Sequence, residues 1–159
     1  MPREIERKYL VTSDAWRSDA PPGIPILQGY LSTDPRRSVR IRIAGDRAFV
    51  TIKGPPQGSA RAEYEYSIPL QDAREMLGTL CFKPLIEKTR YTLHHGDLRW
   101  EIDEFAAHNQ GLLVAEVETE KPPGQIEKPA WLGEDVTEDP RYSNLNLWQH
   151  PFSRWERKP

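Results

Sequence analysis

The chain has 159 residues, 37% hydrophobic and 29% charged, enough for one core and too few for two comfortable ones, so a single domain over 1–159 is expected. Lys and Arg total 22 against 24 for Asp and Glu, and this net charge of −2 excludes the global basic field that draws in nucleic acid. One cysteine, Cys81, excludes an internal disulfide and fits a reducing compartment.

The charged start at 1–8 carries no apolar stretch of a leader peptide. The longest apolar run, around 112–115, is far below the roughly 18 residues a membrane span needs. A cytoplasmic protein with no membrane or nucleic-acid partner is expected.

The first predicted element is a strand over 3–11, where Glu4, Glu6 and Lys8 alternate with Ile5, Arg7 and Tyr9 and so share one face. Ser13 or Asp14 is placed to cap a short helix through Ala20. Strands over 25–33 and 37–45 follow, the second with Arg40 and Arg42 flanking Ile41. A hairpin turn at Ala44-Gly45-Asp46-Arg47 leads into a strand over 47–54 that carries Lys53. Gly54-Pro55-Pro56-Gln57-Gly58-Ser59 reads as a longer loop able to cover an opening, before a strand over 61–69 in which Glu63 and Glu65 flank Tyr64.

Gln71 or Asp72 is expected to start a helix through about Leu80, with Ala73, Met76, Leu77 and Leu80 as its apolar stripe. Strands over 84–94, 97–105 and 112–120 carry Lys88 and Arg90, then Glu101 and Asp103, then Glu116 and Glu118, with a turn at His95-Gly96-Asp97. A Pro-rich linker at 121–129 leads to a helical stretch after Pro140.

A single like-charged pair reads as the solvated face of a half-exposed sheet. Six such pairs, each keeping one sign over two same-face positions, read differently, because like charges repel unless something of opposite charge lies between them. The fold expected is therefore α+β, mainly β: an eight-stranded antiparallel barrel with a charged lumen and helices outside. Carboxylates on one wall would hold Mg2+ or Mn2+, and cations on the other a polyanion. The four histidines show no zinc-ligand spacing with Cys81. The opposite parity is apolar at Tyr9, Ile41 and Tyr64, so the exterior needs cover from helices, tryptophans or the partner of a homodimer.

Glu4-Ile5-Glu6-Arg7-Lys8 resembles the N-terminal signature of the CYTH superfamily, the triphosphate tunnel metalloenzymes. Further matches follow in family order: Gln28-Gly29-Tyr30-Leu31, Arg40-Ile41-Arg42, Lys53-Gly54, Glu63-Tyr64-Glu65, Glu87 to Tyr91, Glu101-Ile102-Asp103, Glu116-Val117-Glu118, and Glu134 to Thr137 with Arg141, Tyr142 and Asn144. The resemblance implies a tunnel that binds a triphosphate and needs a divalent metal. Carried over, Lys8, Arg40, Arg42, Lys53, Lys88 and Arg90 grip phosphates, while Glu4, Glu6, Glu116 and Glu118 hold metal. Glu4, Glu6, Lys8 and Glu118 would carry the chemistry; Glu63, Glu65, Glu101 and Asp103 are additional acidic tunnel positions. The C-terminal helix would plug one mouth, with Arg141 either on the terminal phosphate or in a structural ion pair.

The reaction expected is hydrolysis of inorganic tripolyphosphate to diphosphate and phosphate. The alternatives are a class IV-type adenylate cyclase, a thiamine or nucleoside triphosphatase, and a non-catalytic polyphosphate-binding module.

Overall fold

Alternation along the strands governs the architecture. The computed structural model describes residues 3–156, 158 and 159; Met1, Pro2 and Arg157 lie outside them, so the charged start is described from Arg3 onward. The strands are β1 (Arg3–Val11), β2 (Ile24–Ser32), β3 (Ser38–Ala44), β4 (Arg47–Lys53), β5 (Ala60–Ile68), β6 (Ile86–His95), β7 (Leu98–Phe105), β8 (Leu113–Glu118) and β9 (Leu132–Asp135). The α-helices are α1 (Leu70–Thr79) and α2 (Asn144–Gln149). Gly45 and Gly96 both take φ of +62° in two-residue hairpin turns, a conformation glycine adopts without strain.

The strands run β5-β4-β3-β2-β6-β7-β8-β1, and an antiparallel β5–β1 pairing closes the circle into the expected eight-stranded barrel. The β5–β1 contact is short, from Arg3 to Ile5 on β1. Further along that edge β9 pairs with Tyr9 and Val11, so the segment after the Pro-rich linker supplies a ninth strand that its sequence did not announce. Closure removes the free edges that an open sheet would expose.

The outer apolar parity is covered in two places. Helix α1 buries Ala73 and Leu77 against Ile41 on β3 and Ala48 on β4, with Cys81 in the same cluster. It starts at Leu70 after Pro69, so Gln71 and Asp72 lie inside its first turn and do not cap it; Asp72 there complements the helix dipole. The second cover is aromatic. The short helix before β2 is a 3-10 turn, Ala15–Asp19, and its Trp16 packs with Tyr9, Trp100 and Trp131 over β1, β7 and β8.

Trp148 and Trp155 belong elsewhere. The inward parity that is charged along one half of the barrel turns apolar along the other: Lys8 gives way to Leu10, Lys88 to Ile86, Asp103 to Phe105 and Glu116 to Val114. Against this inner apolar surface pack Tyr142, Leu147, Phe152 and Trp155 from α2 and the 3-10 turns that flank it, with Trp148 alongside. At roughly 2 kcal/mol for each fully buried large side chain, these contacts outweigh any single polar link in seating the plug. Among the described residues no helix is long and apolar enough to cross a membrane.

Candidate active site

The unplugged half of the barrel encloses a cavity of about 1000 Å³. Its wall divides by charge in the order of the strands. The acids come from four consecutive strands: Glu101 on β7, Glu116 and Glu118 on β8, Glu4 and Glu6 on β1, and Glu63 and Glu65 on β5. The cations Lys53, Arg40, Arg42 and Arg90 come from β4, β3 and β6, which with β2 make up the other half. Lys8 on β1 and Arg61 on β5 are the exceptions, cations on the acidic half.

Where the halves meet, they neutralise each other. At the β4–β5 seam, Lys53 Nζ lies 2.8 Å from Glu4 and 3.3 Å from Glu63. At the β6–β7 seam, Arg90 grips Asp103 through Nε at 2.7 Å and Nη2 at 2.9 Å and lies 3.4 Å from Glu101. Lys8 lies 3.6 Å from Glu116, its register partner, and donates to the Tyr142 carbonyl at 3.1 Å. Burial, the largest single effect, would raise Glu116, but Lys8, Arg90 and Lys88 together outweigh it and bring its pKa to about 2. Burial likewise pushes Glu4 up, and Lys53 more than reverses the shift.

Away from the seams, some charges stand without an ion-pair partner among the described residues. Glu6 and Glu118 face each other in the β1–β8 ladder, and neither has an ion pair among the described residues. Burial, then Glu116 and Glu4, push Glu6 well above the ordinary carboxylate range; burial, then Glu4 and Glu101, push Glu118 up. On the basic half, Arg42 has, among the described residues, one side-chain hydrogen bond, from Nε to Gln28 Oε1 at 2.8 Å, and no carboxylate partner. Its burial and the nearby Arg40 and Arg90 pull its pKa down, yet a guanidinium keeps its charge, so the local field is strongly positive. Arg40 hydrogen-bonds Thr51 at 3.2 Å and lies 3.6 Å from Glu65, while its buried Nε has no partner among the described residues. Among the described residues the lumen thus lacks a cation at Glu6 and Glu118 and an anion at Arg42.

Among the described residues no three acid, imidazole or thiolate groups converge into a ready-made cage. The expected set of Glu4, Glu6, Glu116 and Glu118 is divided: Glu4 is engaged by Lys53 and Glu116 by Lys8, leaving two carboxylates uncommitted. Two hard oxygen donors without a counter-ion suit Mg2+ or Mn2+, which bind through one or two carboxylates, retained waters and substrate oxygens. The residues present therefore fit a divalent ion that arrives with a phosphate ligand.

Three expected positions lie off the cavity wall. Lys88 and Asp103 form a 2.6 Å ion pair with side chains 0% and 1% exposed, beneath the wall where the charged half meets the apolar plug. Asp103 is held far below its usual range, because Lys88 and Arg90 together outweigh its burial. Complete burial pulls Lys88 down to about 7, with Arg90 and Arg42 adding to the shift against Asp103. Arg141 is 47% exposed, bonds Asp139 at 2.8 Å and covers the rings of Tyr142 and Trp155; of its two expected settings, the structure has the ion pair.

The wall also holds residues that charge pairing passed over. Arg61 lines the cavity two residues before Glu63, and following the same period one step back reaches it. Pro56, Gly58 and Ser59 bring the loop between β4 and β5 to the wall. Gln28 and Asn144 carry no charge to signal them. Gln28 is fully buried between Arg42 and Asn144, and Asn144 lines the cavity.

This geometry has close counterparts. An inorganic triphosphatase of Acetivibrio thermocellus is 44% identical over 98% of this chain and 99% of its own length. One of Nitrosomonas europaea is 40% identical over 91% of this chain and 95% of its own. The crystal structure of the inorganic triphosphatase NE1496 superposes with a TM-score of 0.65 at 37% identity, covering 91% of this chain and 97% of that one. The CYTH domain matches residues 2–150, and with a closed barrel of this sidedness the chain belongs to the CYTH family.

Proposed function

We propose that this chain hydrolyses inorganic tripolyphosphate to diphosphate and phosphate in the barrel lumen, as a cytoplasmic enzyme using Mg2+ or Mn2+. The observation that carries the reading is the two-sided lumen, whose uncommitted acids Glu6 and Glu118 share one cavity with Arg42, an arginine with no carboxylate partner among the described residues. Two relatives at 40% identity or more bear the name inorganic triphosphatase, which supports the same substrate.

In this reading Arg40, Arg42, Arg90, Lys53 and Lys8 bind the phosphate chain and neutralise the charge that builds on the leaving diphosphate. Lys8 serves as a fixed cation: Glu116 and Glu6 hold its pKa above the usual lysine value against the effect of burial. Lys88 and Asp103 support Arg90 from beneath. Glu6 and Glu118 would hold the metal, and Glu4 and Glu116 would join them once the phosphates claim Lys53 and Lys8. A bound metal supplies Lewis-acid polarisation of phosphate oxygens and of the attacking water. Homodimerisation belongs to the same reading, because Ile52 and Tyr66 remain exposed on the barrel exterior.

The test is a phosphate-release panel of tripolyphosphate, ATP, thiamine triphosphate and long-chain polyphosphate, with Mg2+ and Mn2+ assayed separately. Tripolyphosphate is expected to rank first. Faster turnover of a nucleotide or thiamine triphosphate, or cyclic AMP formed from ATP, would overturn the substrate assignment. Tight binding without turnover under either metal would leave a binding module.

A further inference from the structure

We infer that Asn144, the first residue of the plug helix, is a positioning residue that sets the direction of Arg42 through Gln28; this rests on the triphosphatase reading above. Asn144 Oδ1 accepts two hydrogen bonds, from Gln28 Nε2 at 3.1 Å and from Lys88 Nζ at 3.0 Å. Gln28 in turn accepts from Arg42 Nε at 2.8 Å. Lys88 continues to Asp103 at 2.6 Å, and Asp103 holds Arg90. An unbroken line of bonds therefore runs from β3 through β2 and α2 to β6 and β7.

Each link dictates the next. Because Arg42 occupies the Gln28 carbonyl oxygen, Gln28 can present only its NH2 group towards the plug, and that buried donor needs an acceptor. Asn144 supplies it, and Lys88 locks the Asn144 amide the same way round. Among the described residues Arg42 has no carboxylate to aim it, so this neutral route is the side-chain restraint on its Nε. Arg90 differs, being held by Asp103 through two bonds.

Neutrality is the physical point. A carboxylate at position 28 would align Arg42 equally well but cancel the charge that phosphate must meet, and one at 144 would oppose an incoming anion at the cavity wall. Two amides pass orientation across the barrel without consuming charge. The plug is a firm anchor for this: Leu147 is 1% exposed, and Ser143 caps the helix by accepting from the Asn146 N–H at 3.1 Å.

The experiment is a double-mutant cycle on the full chain, with tripolyphosphate affinity and turnover measured for the parent, Asn144→Ala, Arg42→Ala and the double variant. Losing an acceptor that steers a charged donor should weaken tripolyphosphate binding about tenfold in the parent. In the Arg42→Ala background the loss should be no more than about threefold, because the residue being aimed is gone. Equal weakening in both backgrounds, or none in the parent, would overturn the inference, including the case where only thermal stability falls. Should Asn144→Ala fail to fold, Gln28→Leu takes its place in the same cycle: a loss of about tenfold that falls to about threefold or less beside Arg42→Ala supports the relay, and an equal or absent loss overturns it. A parent that binds tripolyphosphate without hydrolysing it would count against the activity proposed above and leave the binding cycle readable.

Discussion

Glu6 and Glu118 stand opposite one another on neighbouring strands, two carboxylates facing one space with no ion pair to either among the described residues. Such a pair costs stability in the empty protein and is tolerated because a bound cation reverses the sign of the interaction.

Glu6→Gln should therefore trade function for stability. In chelator the variant should gain roughly 1 kcal/mol and melt about 2–4 °C higher, since one of two facing charges is removed. Its metal-dependent turnover should fall on the order of a hundredfold. Thermal melts in chelator and phosphate release in metal check the two halves together.

The same residue gives a pH dependence with a definite sign. Glu6 holds its proton well above the ordinary value of 4.5, so its contribution to stability is complete below about that pH and is lost as pH rises through the raised native value. Compared with Glu6→Gln, the metal-free parent should lose ground steadily as pH rises from the ordinary carboxylate range through the raised native value, and added Mg2+ should close the gap. Taking the difference between the two proteins removes the opposite trend from Lys88, whose depressed pKa of about 7 makes the fold gain stability as pH rises above that value. Denaturant titrations across the range measure it.

Asp103→Asn should be the most destabilising change among the acidic positions. It would leave Lys88 and Arg90 buried without their shared carboxylate, a loss of about 3–5 kcal/mol. Glu63→Gln, at a more open seam where Lys53 keeps Glu4, should cost less than about 1 kcal/mol. Urea unfolding of the two variants side by side tests the contrast.

Arg42 and Arg141 should separate binding from structure. Arg42→Ala should leave the melting temperature unchanged or higher, by removing repulsion with Arg40 and Arg90, while weakening tripolyphosphate binding about a hundredfold. Arg141→Ala should keep turnover within about twofold of the parent, because Arg141 is exposed, its partner Asp139 is only half-buried, and such pairs contribute little. Titration calorimetry and steady-state rates read both.

How far these features can be read in the residues depends on what a two-residue period encodes. It reports which side of a strand a residue faces, and on that basis the barrel, its hairpins and the inward acids and cations were legible. It says nothing of depth along the barrel. Lys88 and Asp103 share a face with Arg90 and Glu101, yet they lie one step nearer the apolar plug and fall beneath the wall. The four residues of β9 follow a Pro-rich stretch and are too few to show a period; the edge of β1 beyond its contact with β5 organises them. Arg61 broke the rule of one sign per strand, and Gln28 and Asn144 are uncharged, so a search for charge pairs passes over all three. The division of ion pairs at the seams from bare charges between them depends on strand order, which local pattern does not contain.

The central claim is that the two halves of the lumen are bridged by a divalent metal and a triphosphate that is then cleaved. Phosphate and diphosphate released from tripolyphosphate should be counted for the purified chain with Mg2+, with Mn2+ and with chelator. Equal amounts of the two products in the presence of metal, abolished by chelator, are predicted. Tripolyphosphate left intact under both metals by folded protein would contradict the account.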